Sequence, residues 1–176
     1  MNFTSMNVIL VGYMCSGKTS VGSLLAQRLN VPFFDLDQLI EQTENSTISA
    51  IFEQKGEVYF RKLERLTLEN FLNEHQNYIL AAGGGTPCYY DNYKLYHKEA
   101  ITSVYLKGSI ATLTTRILHQ STNRPLLRHL SEEDAKEFVA KHLFDRNFYY
   151  NQVTKVVTID AKSCEEIVSE LVAFLA

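Results

Sequence analysis

The chain has 176 residues, with 45% hydrophobic and 21% charged residues, which fits one soluble domain with a sizeable core. Its formal net charge of −3 offers no broad basic face for nucleic acid, no apolar run approaches membrane-spanning length, and the N-terminus carries no secretory signal pattern. The three cysteines, Cys15, Cys88 and Cys164, are far apart and without CxxC spacing, which argues against a disulfide framework or a zinc site and suits a reducing cytosol.

Apolar runs alternate with helical patterns along the chain. Strands are predicted at Asn7–Val11, 32–35, Tyr78–Ala81, 103–106 and 153–159. Helices are predicted at Lys18–Leu29, 37–44, 48–55, 57–74, 109–119, Glu132–Tyr150 and Cys164–Leu175. This alternation produces βαβ units, so the expected class is α/β, a five-stranded parallel sheet with helices on both faces. The last helix carries an apolar stripe at helical period (Ile167, Val168, Leu171, Val172, Leu175), which reads as a docking face. Residues 119–130 are polar at first and contain Pro125. They form either a flap that closes over phosphates or a plain surface connection.

The first strand runs into Gly12-Tyr-Met-Cys-Ser-Gly-Lys-Thr19, a G-x-x-x-x-G-K-[ST] phosphate loop followed by a helical pattern. Its glycines allow close backbone approach, and the inward N–H groups and helix start favour phosphate. Lys18 can reach the β- and γ-phosphates, and the Thr19 hydroxyl can hold Mg²⁺. The loop implies binding of a nucleoside triphosphate. Cys15 occupies a permissive position and reads as filler.

Beyond the second strand lie Asp35 and Asp37, where an open α/β sheet binds ligands. One carboxylate can hold Mg²⁺ through water and the other can accept a substrate hydroxyl proton, although Asp37 can equally serve only as a helix cap. Arg61 and Glu64 share a helix face. A guanidinium fixed by Glu64 suits a carboxylate, but an exposed salt bridge is the plainer reading. Gly83, Gly84 and Gly85 follow the third strand, for close approach to a ligand or for a tight turn. Arg124 in the proposed flap and Arg146 near the end of a later helix can neutralise anions, or be solvated charges. Arg116 and Lys162 are weaker candidates for packing beside adenine.

In this order and spacing, G-Y-M-C-S-G-K-T, F-D-L-D-Q-L-I-E, I-F-E-Q-K-G-E-V-Y-F-R-K-L-E, G-G-G-T, R-P-L-L and D-R-N-F-Y-Y resemble the shikimate kinase family. The pieces span residues 8–150, and the final strand and helix also fit. The resemblance implies a three-layer P-loop kinase fold filling residues 1–176, with a substrate-binding segment near 35–65 and a mobile lid near 119–131. It implies transfer of the γ-phosphoryl of ATP to the 3-hydroxyl of shikimate, with Mg²⁺ as cofactor. On this resemblance the nucleotide is held by Gly12, Cys15, Ser16, Gly17, Lys18, Thr19, Ser20, Arg116, Arg124 and Lys162, and the metal by Thr19 and Asp35. Shikimate is held by Asp37, Arg61, Gly83, Gly84, Gly85 and Arg146, with Glu64 orienting Arg61. Lys18, Asp37 and Arg124 are the catalytic set. The lid stretch 118–123 differs in composition from better-known members, and Lys162 aligns only roughly. A cytoplasmic monomer, with no nucleic-acid or membrane partner, is the matching expectation.

The nearest rival enzyme is another small-molecule kinase, acting on gluconate or a nucleoside monophosphate. A GTPase lacks support because no N-K-x-D motif occurs, and a motor-type ATPase because no apolar strand ends in Asp-Glu. A nucleotide-binding regulator without catalysis is the rival from another class.

Overall fold

The computed structural model describes residues 6–119 and 131–176. The elements in chain order are β1 (Asn7–Val11), α1 (Lys18–Leu29), β2 (Phe33–Asp35), α2 (Leu36–Glu44), α3 (Ile48–Glu74), β3 (Tyr78–Ala81), α4 (Asn92–Leu95), β4 (Ile101–Lys107), α5 (Ile110–His119), α6 (Glu132–Tyr150), β5 (Lys155–Thr158) and α7 (Cys164–Leu175), with a 3₁₀ turn at Thr86–Cys88. The expected lid and Arg124 fall almost wholly on residues 120–130, outside the described residues.

The five strands form one parallel sheet in the order β2-β3-β1-β4-β5. The apolar run Val8–Val11 makes β1 the central strand, and all four of its residues are fully buried, as a parallel strand covered on both faces requires. The connection from β1 to β2 runs one way across the sheet, and those that follow run the other way. Right-handed crossovers therefore place α1 on one face and the later connecting helices on the opposite one. Packing agrees, since α1 lies against α7 and α5 against α6. Gly22 lets α1 approach the sheet closely: a Cβ there would come within 2.5 Å of Phe33 Cε2 and 3.1 Å of Leu10 Cδ1.

The order also decides where the site forms. Strands β2, β3 and β1 are neighbours, so the segments leaving their carboxyl ends converge on one stretch of the sheet edge. Those segments are the two-aspartate turn, the glycine run and the phosphate loop.

Several expected boundaries shift. The patterns at 48–55 and 57–74 do not: they stand as two helical segments that meet within α3 at Gly56, whose φ of 79° and ψ of 170° no helical residue adopts. The turn at Thr86–Cys88 and the short α4 were not expected; a few residues around Pro87 carry no periodic signal. Helix α2 begins one residue early because Asp35, not Asp37, is its cap: the Asp35 side chain accepts the Asp37 backbone N–H at 3.1 Å. The cap reading of Asp37 is thereby displaced, and its carboxyl stands in the first turn.

Candidate functional site

A cavity of about 440 Å³ opens at this edge, lined by Met14, Cys15, Gly17, Lys18, Thr19, Ser20, Asp35, Asp37, Arg61, Ala82, Gly83, Gly84, Gly85 and Arg146. That is large enough for a small polar ligand beside phosphates. The phosphate loop forms one wall. Gly17 caps α1 with φ 95°, a left-handed conformation glycine adopts without strain, and no side chain caps the helix start. The first N–H groups of α1 therefore face the cavity, where an anion can accept from them. Lys18 lies back over the loop, its Nζ donating to the carbonyls of Gly12 at 2.8 Å and Tyr13 at 3.0 Å. Arg116 supports the loop from behind, donating to the carbonyls of Cys15 and Ser16 at 3.3 Å each. Gly12 and Ser16 build the loop without lining the cavity. Lys162 does not line it either; its ammonium pairs with Glu170 at 2.6 Å.

The acidic wall is made by the two aspartates. Thr19 Oγ1 donates to Asp35 Oδ2 at 3.1 Å, which joins the start of α1 to the end of β2. These neighbouring oxygens at the mouth of the phosphate loop fit Mg²⁺, a hard cation that takes oxygen ligands and keeps several waters. Asp37 is pushed up from 3.8 to about 6, first by burial and then by the Asp35 and Glu64 carboxylates, with Lys18 pulling the other way. A carboxylate with a pKa just below neutrality is suited to accept a proton.

The cationic wall is made by Arg61 and Arg146. Glu64 is 1% exposed and accepts from Arg61 Nη1 at 3.1 Å and from the Thr86 hydroxyl at 2.6 Å. The plainer reading of Arg61–Glu64 as an exposed surface pair therefore fails. Burial raises the Glu64 pKa, while Thr86 and Arg61 hold it down. Arg146 sits above the Tyr13 ring, 5.6 Å from its centroid, and donates to the Gly84 carbonyl at 3.3 Å. The Tyr150 hydroxyl donates to that same carbonyl at 2.5 Å. Two groups one turn apart on α6 thus fix the middle of the glycine run.

Tyr13, Thr86 and Tyr150, which brace the site, were not singled out in the sequence, nor were Met14 and Ala82, which line the cavity. Tyr150 could have been found, since it lies four residues after Arg146 on the same helix face. Tyr13 and Thr86 carried no separate signal.

One cavity therefore sets a phosphate loop and an acidic pair against two guanidinium groups. The family model described as shikimate kinase matches residues 14–176. The chain belongs to the shikimate kinase family. A shikimate kinase of Flavobacterium psychrophilum is 50% identical over 164 residues, 93% of this chain and 95% of that protein. The crystal structure of shikimate kinase from Bacteroides thetaiotaomicron superposes with a TM-score of 0.89 at 32% identity, covering 97% of this chain and 98% of that one. Shikimate kinase from Acinetobacter baumannii, solved in complex with shikimate, gives a TM-score of 0.83 at 30% identity, covering 96% and 92%. Membership makes the chain an ATP-dependent kinase with a P-loop kinase fold.

Proposed function

We propose that this chain transfers the γ-phosphoryl of ATP to the 3-hydroxyl of shikimate, giving shikimate 3-phosphate and ADP. The observation that carries the reading is the single cavity in which Lys18 and the start of α1 stand beside Asp37, Arg61 and Arg146. An acceptor with a carboxylate and neighbouring hydroxyls needs that pairing of cations and an acidic group.

The geometry supports the following roles. The N–H groups at the start of α1 and the Lys18 ammonium hold the transferring phosphate, and Lys18 exchanges its loop carbonyls for phosphate oxygens as ATP enters. Arg61, kept in place by Glu64, takes the shikimate carboxylate with Arg146. Gly83 to Gly85 let the ring approach the backbone. Asp37 accepts a hydrogen bond from the attacking hydroxyl and then its proton. Thr19 and Asp35 would hold Mg²⁺, which supplies charge neutralisation on the phosphates when bound. Phosphoryl transfer has a loose transition state, so in-line positioning and charge neutralisation contribute more than base strength.

Residues 1–176 are read as one catalytic domain. Its three free cysteines support a reducing cytoplasm as its location, and no described helix is long and apolar enough to cross a membrane. A monomer is the simplest assembly consistent with a cavity built from one chain.

The test is a coupled ADP-release assay with Mg²⁺-ATP, comparing shikimate, gluconate, nucleoside monophosphates and no acceptor. ADP release with shikimate alone supports the proposal. Release with a different acceptor keeps the kinase and refutes the pocket assignment. Nucleotide binding without acceptor-dependent release refutes the catalytic reading.

A further inference from the structure

We infer that Tyr89 is a positioning residue for this reaction: its ring holds the Arg61 guanidinium at the cavity and keeps it from withdrawing into a neighbouring hollow. The inference rests on the proposed role of Arg61 as the carboxylate clamp.

Arg61 needs more than its ion pairs to stay in place. Its Nε donates to Glu57 at 3.3 Å, but the Glu57 side chain is 54% exposed, and such a pair contributes little in water. The buried Glu64 is the firm anchor, and it grips only Nη1. One anchor on a long, flexible side chain leaves the guanidinium free to pivot. The space to pivot into exists. A second cavity of about 370 Å³, lined by Glu57, Val58, Cys88, Tyr89 and Tyr90, also has Arg61 in its wall.

Tyr89 closes that route. The Arg61 guanidinium carbon lies 4.0 Å from the centroid of the Tyr89 ring, nearer than to Phe60 at 5.1 Å or Phe52 at 5.8 Å. A planar cation at that distance is attracted by the ring face and blocked by its volume. The segment that carries the ring is itself braced. Tyr89 follows directly on the turn Thr86–Cys88, where the Thr86 hydroxyl is bonded to Glu64 and the Thr86 carbonyl accepts from Asn92 Nδ2 at 2.8 Å. Thr86 and Asn92 are both fully buried. The glycine run, the turn and Tyr89 thus form one continuous braced segment, which contributes both the backbone facing the ligand and the ring beside its clamp.

The experiment compares wild type, Tyr89→Phe and Tyr89→Leu in steady-state kinetics with shikimate and ATP varied separately, and in thermal melts. Tyr89→Leu is expected to raise the shikimate KM about five- to tenfold, the range for a half-buried cation–ring contact. Its kcat and ATP KM should stay within about twofold, because the phosphate loop is untouched. Tyr89→Phe keeps the ring and should keep the shikimate KM within about twofold. A wild-type shikimate KM in Tyr89→Leu overturns the inference, as does equal damage in the Phe variant, which would place the effect in the hydroxyl. A matched loss in kcat and ATP KM also overturns it, as a general structural defect. Wild type separates this failure from that of the underlying reading: without shikimate-dependent turnover in the wild type, the proposed function falls and the inference with it.

Discussion

Replacing Gly85 by alanine places a methyl group against the working end of Arg61. Gly85 has φ −96° and ψ −14°, which any L residue adopts, so the backbone carries no strain. An ideal Cβ would lie 2.8 Å from Nη2, 2.9 Å from Nη1 and 3.1 Å from Cζ. Ordinary contact begins near 3.4 Å, so the guanidinium must retreat by about half an ångström. It has little freedom to do so, with Tyr89 over it and Glu64 bonded to Nη1. The methyl also crowds the Nη1 and Nη2 end of the guanidinium, from which a carboxylate would be held. A hydrogen-bonded charge pair contributes about 1.5–3 kcal/mol, so losing most of it raises the shikimate KM by about ten- to a hundredfold. Stability should fall by up to about 2 kcal/mol, because moving a braced guanidinium costs about 1–3 kcal/mol and alanine offsets about 0.4–1 kcal/mol of that by restricting the unfolded chain. The assay is steady-state ADP release with shikimate and ATP varied separately, alongside a thermal melt. A shikimate KM within twofold of wild type, in a normally folded variant, would refute the assignment of Arg61 as clamp.

Other perturbations read other parts of the site. Folding raises the Asp37 pKa from 3.8 to about 6, so this group favours the folded state below about pH 4, and that contribution is lost as pH rises through about 6. Asp37→Asn removes the cost of a buried charge, about 2–3 kcal/mol. Its Tm should rise by several degrees at pH 8 and by much less at pH 4, while shikimate turnover falls at least about a hundredfold; an unchanged Tm difference between the two pH values would contradict the burial argument. In the wild type, the pH profile of kcat/KM for shikimate should fall on the acid side with an apparent pKa near 6, the value to which burial and the neighbouring carboxylates raise Asp37. Glu64→Ala strands both Arg61 and the Thr86 hydroxyl, which should cost about 3 kcal/mol and lower Tm by about 6–12 °C. A melt unchanged from wild type would show that Glu64 braces nothing. Gly22→Ala forces a methyl onto the Phe33 ring and should cost about 1–3 kcal/mol in urea unfolding, with turnover per folded molecule unaffected.

What the sequence disclosed, and what it hid, follows from the range of the interactions. The strands were readable because Val8–Val11 and Tyr78–Ala81 are short apolar runs, and the break at Gly56 because glycine interrupts a helical pattern. The phosphate loop, the two aspartates and the glycine run each sit directly after a strand, so their places at the sheet edge followed from the parallel topology. The bracing was hidden because it joins segments far apart in the chain. Tyr150 reaches Gly84 across 66 residues and Thr86 reaches Glu64 across 22. Tyr13 and Tyr150 are fully buried and did not stand out in the sequence, since burial and support of a ligand site call for the same residue type. Whether Arg61–Glu64 was a surface pair or a buried clamp also waited on the fold, because helical spacing fixes a shared face without saying what covers it. Lys162 was placed by rough alignment alone, and its pairing with Glu170 depends on where β5 ends.

The position of the transferred phosphoryl group decides whether this chain carries out the proposed reaction. Incubating the protein with Mg²⁺-ATP and shikimate, then locating the phosphate on the product by phosphorus–proton correlation NMR, tests it directly. Transfer to the 3-hydroxyl gives a single phosphomonoester coupled to the proton at C3, formed in step with ADP. Phosphate on another hydroxyl, or ADP formed with no phosphorylated shikimate, would contradict it.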